Sequence, residues 1–106
     1  MTDRELLESA AKAAGIPIGK WVDWWIDSPE VGFWLDGDNW NPLTDDGDAL
    51  RLAVKLRIDF CIAPNEATAC AWCGAVGEFM EEPLAPYEMA ATRRAIVRAA
   101  AEMAPK

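Results

Sequence analysis

Lys20-Trp21-Val22-Asp23-Trp24-Trp25-Ile26-Asp27-Ser28-Pro29-Glu30-Val31-Gly32-Phe33-Trp34-Leu35-Asp36 contains two strand-like runs around a turn. Proline pre-sets φ in Asp27-Ser28-Pro29-Glu30, and apolar residues alternate on either side of it. Residues 20–27 place Trp21, Asp23, Trp25 and Asp27 on one face, with Val22, Trp24 and Ile26 on the other. Residues 31–36 set Val31, Phe33 and Leu35 against Gly32, Trp34 and Asp36, and the two runs are predicted to pair as a hairpin. A second hairpin follows. Its first strand, residues 57–63, carries Ile58, Phe60 and Ile62 on one face. Pro64-Asn65-Glu66 turns the chain into the alanine-rich strand 68–76.

Three helices frame these strands. Thr2 and Glu5 form a Thr-x-x-Glu capping box. Leu6, Leu7, Ala10, Ala11, Ala13 and Ala14 then share one arc, Glu8 and Lys12 form a favourable i, i+4 pair, and Gly15 with Pro17 ends the helix. Residues 36–48 are polar and rich in turn formers, and Thr44 is the expected N-cap of a second helix running to Leu56. The apolar arc of this helix is so wide that it is predicted to be the most buried of the three, with Leu50 and Val54 inside. Residues 77–86 form a loop carrying Glu78, Glu81 and Glu82. A third helix covers residues 87–103, with Met89, Ile96, Val97, Ala100 and Met103 on its apolar arc. Arg93 falls within that arc. The order α-β-β-α-β-β-α predicts an α+β fold in one domain, residues 1–106, with a four-stranded, mainly antiparallel sheet.

Composition excludes several functions. The chain has 106 residues, 52% of them hydrophobic and 26% charged, the profile of a folded domain. It contains no histidine, which removes triads, imidazole ligands and imidazole acid–base chemistry. The only serines are Ser9 and Ser28, no glycine-rich phosphate loop exists, and no nucleophile–base pair can be named, so an enzyme is not expected. Acidic residues outnumber basic ones 18 to 10, for a net charge of −8, which opposes direct contact with nucleic acid phosphates. Residues 67–77, the longest uncharged stretch of the second half, are too short to cross a membrane. The polar start, Met1-Thr2-Asp3-Arg4-Glu5, lacks an apolar signal core, so a cytosolic protein is expected.

Cys61, Cys70 and Cys73 make an odd set with no secretion signal, which argues for reduced thiols. The Cys70-Ala71-Trp72-Cys73 spacing lies in a strand, where the two thiols face opposite ways. Zinc would need Cys61 as a third thiolate and a carboxylate as the fourth ligand, so structural cysteines are the favoured reading and no metal and no cofactor are expected. The aspartate-rich stretch is no calcium loop either: counting from Asp36, the sixth residue is Asn41 and the twelfth Gly47.

Six tryptophans remain to be explained. Strand 20–27 puts tryptophan on both faces and sets Asp23 between Trp21 and Trp25. An unpaired buried carboxylate costs several kcal/mol. Asp23 therefore either pairs with Arg93 or lies in a wet pocket walled by Trp21 and Trp25, with Trp34 or Trp40 at its rim. The pocket is the expected arrangement. Arg93 is then read as a stem lying along apolar surface with its guanidinium in water; in the alternative it is a buried cation, and the partners expected for it are Asp23, Asp59 or a ligand anion.

Phe33-Trp34-Leu35-Asp36, the run Trp40-Asn41-Pro42-Leu43-Thr44-Asp45-Asp46-Gly47-Asp48-Ala49-Leu50-Arg51-Leu52-Ala53, and Ala90-Ala91-Thr92-Arg93-Arg94-Ala95-Ile96-Val97-Arg98-Ala99-Ala100-Ala101-Glu102 resemble the small phage and prophage proteins of the phage ABA-sandwich domain family. The start, Thr2-Asp3-Arg4-Glu5-Leu6-Leu7-Glu8, is similar as well. The resemblance implies a bacteriophage gene expressed in the bacterial cytosol and an α/β/α sandwich with helices on both faces of the sheet. It implies no activity. Small acidic phage proteins outside the virion often act on host machinery, so the expected function is binding to a host protein or host-defence component. The alternatives are capture of a nucleotide-like ligand between tryptophan and arginine side chains, and a structural or assembly module with no ligand.

Overall fold

The computed structural model describes residues 2–22, 32–35, 38–63, 67–72 and 79–104. The chain runs α1 (Asp3–Ala14), β1 (Trp21–Val22), β2 (Gly32–Leu35), β3 (Asp38–Trp40), α2 (Asp46–Leu56), β4 (Asp59–Ala63), β5 (Thr68–Trp72), β6 (Phe79–Pro83) and α3 (Glu88–Glu102). The α+β class is as expected. The single four-stranded sheet is not: two three-stranded antiparallel sheets form, ordered β1-β2-β3 and β4-β5-β6. The tight turn at 27–30, the turn at 64–66 and the C-terminal end of strand 68–76 lie outside the described residues.

The extra strands are the ones with poor strand composition. β3 begins Asp38-Asn39 and β6 contains Glu81, Glu82 and Pro83, all residue types depleted in strands. Each forms because a neighbour holds it. In the first sheet Phe33 pairs with Trp40 and Trp34 with Asn39. Gly32 permits that approach: a Cβ there would lie 2.6 Å from the Trp40 carbonyl oxygen. In the second sheet Ala69 pairs with Glu82 and Ala71 with Met80. Glu82 then turns towards α3, where Arg98 reaches it at 3.0 Å and Arg94 at 3.4 Å. Proline ends the strand on the sheet edge, where no ladder donor is lost.

α3 is the central helix. It packs on α1, on α2 and on the second sheet. Small residues allow the approach: Ala69 and Ala71 on β5 and Ala95, Ala99 and Ala100 on α3 are all buried. Because α1 and α2 pack on α3, the described helices lie on one side of β4–β5–β6, and the expected sandwich with helices on both faces is not formed by them. α2 is also not the most buried helix. It buries Asp48, Ala49, Leu52 and Ala53, while Leu50 is 55% and Val54 69% exposed. Its principal neighbour is α3, so a wide apolar arc meets a narrow contact.

α1 begins as its sequence indicates. Thr2 Oγ1 accepts from the Glu5 N–H at 3.2 Å, and Glu5 Oε1 accepts from the Thr2 N–H at 3.0 Å. The bond from the Thr2 N–H, then that from its hydroxyl, holds the Glu5 carboxyl below the usual glutamate range. A pKa depressed in the folded state stabilises above the unfolded value, and that contribution disappears as pH falls through the folded value. We therefore expect amide protection factors at Glu5 and Leu6 to fall between about pH 6 and about pH 3, and Glu5→Gln, which keeps the cap geometry without titrating, to flatten the profile. An unchanged profile in Glu5→Gln would show that another group controls the fraying.

Candidate functional site

The Asn41-Pro42-Leu43-Thr44-Asp45-Asp46-Gly47-Asp48 run is a self-bonded turn. The Asn41 side chain accepts from the Leu43 N–H at 3.0 Å, and the Asn41 carbonyl accepts from the Thr44 and Asp45 N–H groups at 3.1 and 2.9 Å. Asp45, one residue after the expected cap, is the N-cap of α2 and accepts from the Asp48 N–H at 2.8 Å. Buried Asp48 in turn accepts from the Asn41 N–H at 3.0 Å and from Arg51 at 2.7 Å. The polar residues build a turn that leads into the helix cap, as expected, with the cap at Asp45.

Arg93 fastens that loop to α3. Its Nε donates to the Leu43 carbonyl at 2.8 Å, and Nη1 donates to Asp46 at 2.6 Å. Its side chain is 17% exposed, which accounts for a cation on an apolar arc. Its carboxylate partner is Asp46. Asp59, one of the expected partners, is exposed on β4, and Asp23 lies outside the described residues.

The tryptophans are separated. Trp21 pairs with Phe33, and Phe33 with Trp40, which puts all three on one face of the first sheet. Trp40 is buried in the core, and Trp21 meets Phe33 edge-on with ring centres 4.9 Å apart. Trp34 is on the opposite face, 51% exposed. Trp25 lies outside the described residues. Among the described residues, no single pocket collects Trp21, Trp34, Trp40 and Arg93.

What α2, α3 and β4 form together is an apolar groove of about 200 Å³. Met89, Thr92, Arg93 and Ile96, spaced i, i+3, i+4, i+7, make its α3 side. Asp46, Ala49 and Leu50 line it from α2, and Phe60 from β4. Phe60 and Ile62 share the face of the second sheet that carries Ala69 and Ala71. The alanines are covered by α3, whereas Phe60 and Ile62 are 42% and 48% exposed, so the helical layer stops one strand short. Val54, a turn beyond Leu50, and Tyr87 and Met89 at the start of α3 extend the exposed apolar surface. Sequence patterning did mark Leu50, Val54 and Met89 as apolar positions. It assigned them to the interior, because periodicity cannot show how wide the facing element is.

Cys61 and Cys70 stand opposite each other in β4 and β5, one exposed and one buried. Cys73 lies outside the described residues. Among the described residues no group of three or more metal-binding side chains converges, and no helix is long and apolar enough to cross a membrane. Comparison with protein-family models, with curated proteins and with solved structures gives no match.

Proposed function

We propose that this chain is a non-enzymatic accessory protein of a phage or prophage that acts by binding another protein, a component of the host cell or of its defences. The carrying observation is the groove between α2, α3 and β4 with its exposed Leu50, Phe60 and Met89, together with exposed Val54 on α2 and Ile62 on β4. Large exposed apolar patches on small domains mark partner surfaces. The phage context rests on the resemblance of the Asn41–Asp48 run and of α3. An acidic surface is the weaker candidate for the contact, because Asp3, Glu8, Asp45, Asp46, Asp48 and Glu82 are engaged in ion pairs within the fold.

The test is capture from a bacterial lysate by the native chain and by a Leu50→Asp, Phe60→Ser double variant. Both side chains are substantially exposed, so melting temperature should change little. The expected result is a protein recovered at least tenfold less by the variant. Equal recovery by the two chains would remove the groove as the contact surface.

A further inference from the structure

A second concavity lies between α1 and the start of the first sheet and shares no lining residue with the groove. We infer that it binds a planar anion of the nucleoside monophosphate class. Its volume is about 600 Å³, within the range of small-molecule sites. Arg4 and Glu8 line it from α1, Gly19, Lys20 and Trp21 from the chain entering β1, and Phe33 from β2. In a chain of net charge −8, this concavity gathers two cations against one carboxylate.

Each part is positioned. Lys20 rises from a fixed backbone, because its carbonyl accepts from the Trp34 N–H at 2.8 Å and the preceding Gly19 N–H donates to the Trp34 carbonyl at 2.6 Å. Phe33 sets the plane of Trp21 by its edge contact. Arg4 is held by Glu8, which accepts from Nε at 3.1 Å, and its guanidinium carbon is 5.8 Å from the Trp21 ring centre. Arg4 is ion-paired with Glu8 through Nε, which leaves its terminal nitrogens to donate to an oxyanion, and no ion pair is formed by the Lys20 ammonium among the described residues. A half-buried indole beside two such donors offers a stacking surface and a charge at once. A longer polyanion would meet the acidic remainder of the chain, so the free mononucleotide is the fitting ligand.

Isothermal titration of the full chain with AMP, adenosine, inorganic phosphate and a 5′-phosphorylated trinucleotide tests this. The expected result is saturable AMP binding, at least tenfold tighter than adenosine or phosphate, and weaker binding of the trinucleotide. Arg4→Gln combined with Lys20→Gln, both at exposed positions, should weaken AMP at least tenfold with an unchanged melting temperature. This pair gives a readout even where Trp21→Leu fails to fold. No saturable AMP binding at millimolar concentration overturns the inference, as does equal binding of AMP by the double variant. Adenosine or phosphate binding as well as AMP, or tighter binding of the trinucleotide, overturns the ligand class.

Discussion

Replacing Leu7 by alanine should lower the free energy of unfolding by about 3–5 kcal/mol, the upper range for a buried leucine. Leu7 is fully buried on α1, and α1 makes its main contact with α3. The surroundings decide the size of the effect. This core is built largely from alanine: Ala10, Ala11 and Ala14 on α1, and Ala95, Ala99 and Ala100 on α3. Alanine lets the helices approach closely but has no rotamer with which to fill a void. The cavity left by Leu7 would therefore persist, and a persistent cavity adds its own cost to the lost transfer free energy. Only Leu7, Leu52, Val97 and Pro42 are large side chains below 2% exposure among the described residues, so each holds a large share of a stability of about 5–15 kcal/mol. Urea unfolding should show a lower midpoint with an unchanged slope. A loss below about 1.5 kcal/mol would mean that the helices slide together after truncation, and the close-packed account would fail. Leu50→Ala is the control, on a side chain 55% exposed, with an expected loss within about 0.5 kcal/mol.

The sequence shows where local chemistry is self-sufficient. The capping box at Thr2 and Glu5, the left-handed Gly15 and the apolar stripe of α1 each rest on contacts within a few residues, and they form as read. The hairpin of β4 and β5 is equally local. Legibility stops where a distant neighbour decides. β6 exists because two arginines of α3 neutralise Glu82, and β3 because Gly32 lets Trp40 come close, yet nothing in Phe79-Met80-Glu81-Glu82-Pro83 or Asp38-Asn39-Trp40 announces either partner. The same limit applies to the candidate surfaces. Leu50 and Phe60 are ordinary apolar residues of a helix and a strand, and only tertiary geometry shows that no described element covers them. Arg4 and Lys20 sit beside Trp21 because α1 folds back on the sheet, whereas alternation along one strand pointed to Asp23 and Trp25.

Arg93 is the residue whose anomaly was legible and whose partner was not, and it carries the second large effect. Arg93→Met should cost about 2–3 kcal/mol, in the range for a charge-assisted hydrogen bond to a partly buried acceptor. Two bonds are lost, and they are unequal. Asp46 is 62% exposed, and once unpaired its carboxylate returns to water at little cost, as for most surface ion pairs. The Leu43 carbonyl is different. It lies in a half-buried loop pinned by fully buried Pro42, and Met offers it no donor. A double-mutant cycle of Arg93→Met with Asp46→Asn should therefore return a coupling below about 1 kcal/mol, much less than the single loss at Arg93. A coupling as large as the whole effect would transfer the stabilisation to the ion pair and reverse this assignment. Arg93→Lys separates the roles further. One ammonium on a flexible stem replaces a planar fork that bonds Leu43 through Nε and Asp46 through Nη1, so lysine should recover the charge and lose most of the stability. Arg93 also lines the groove between α2, α3 and β4, so the clamp that orders the Asn41–Asp48 loop shapes the α2 wall on which a partner would rest. Weaker partner capture by Arg93→Met than by Asp46→Asn would then follow from the same unequal division of the two bonds.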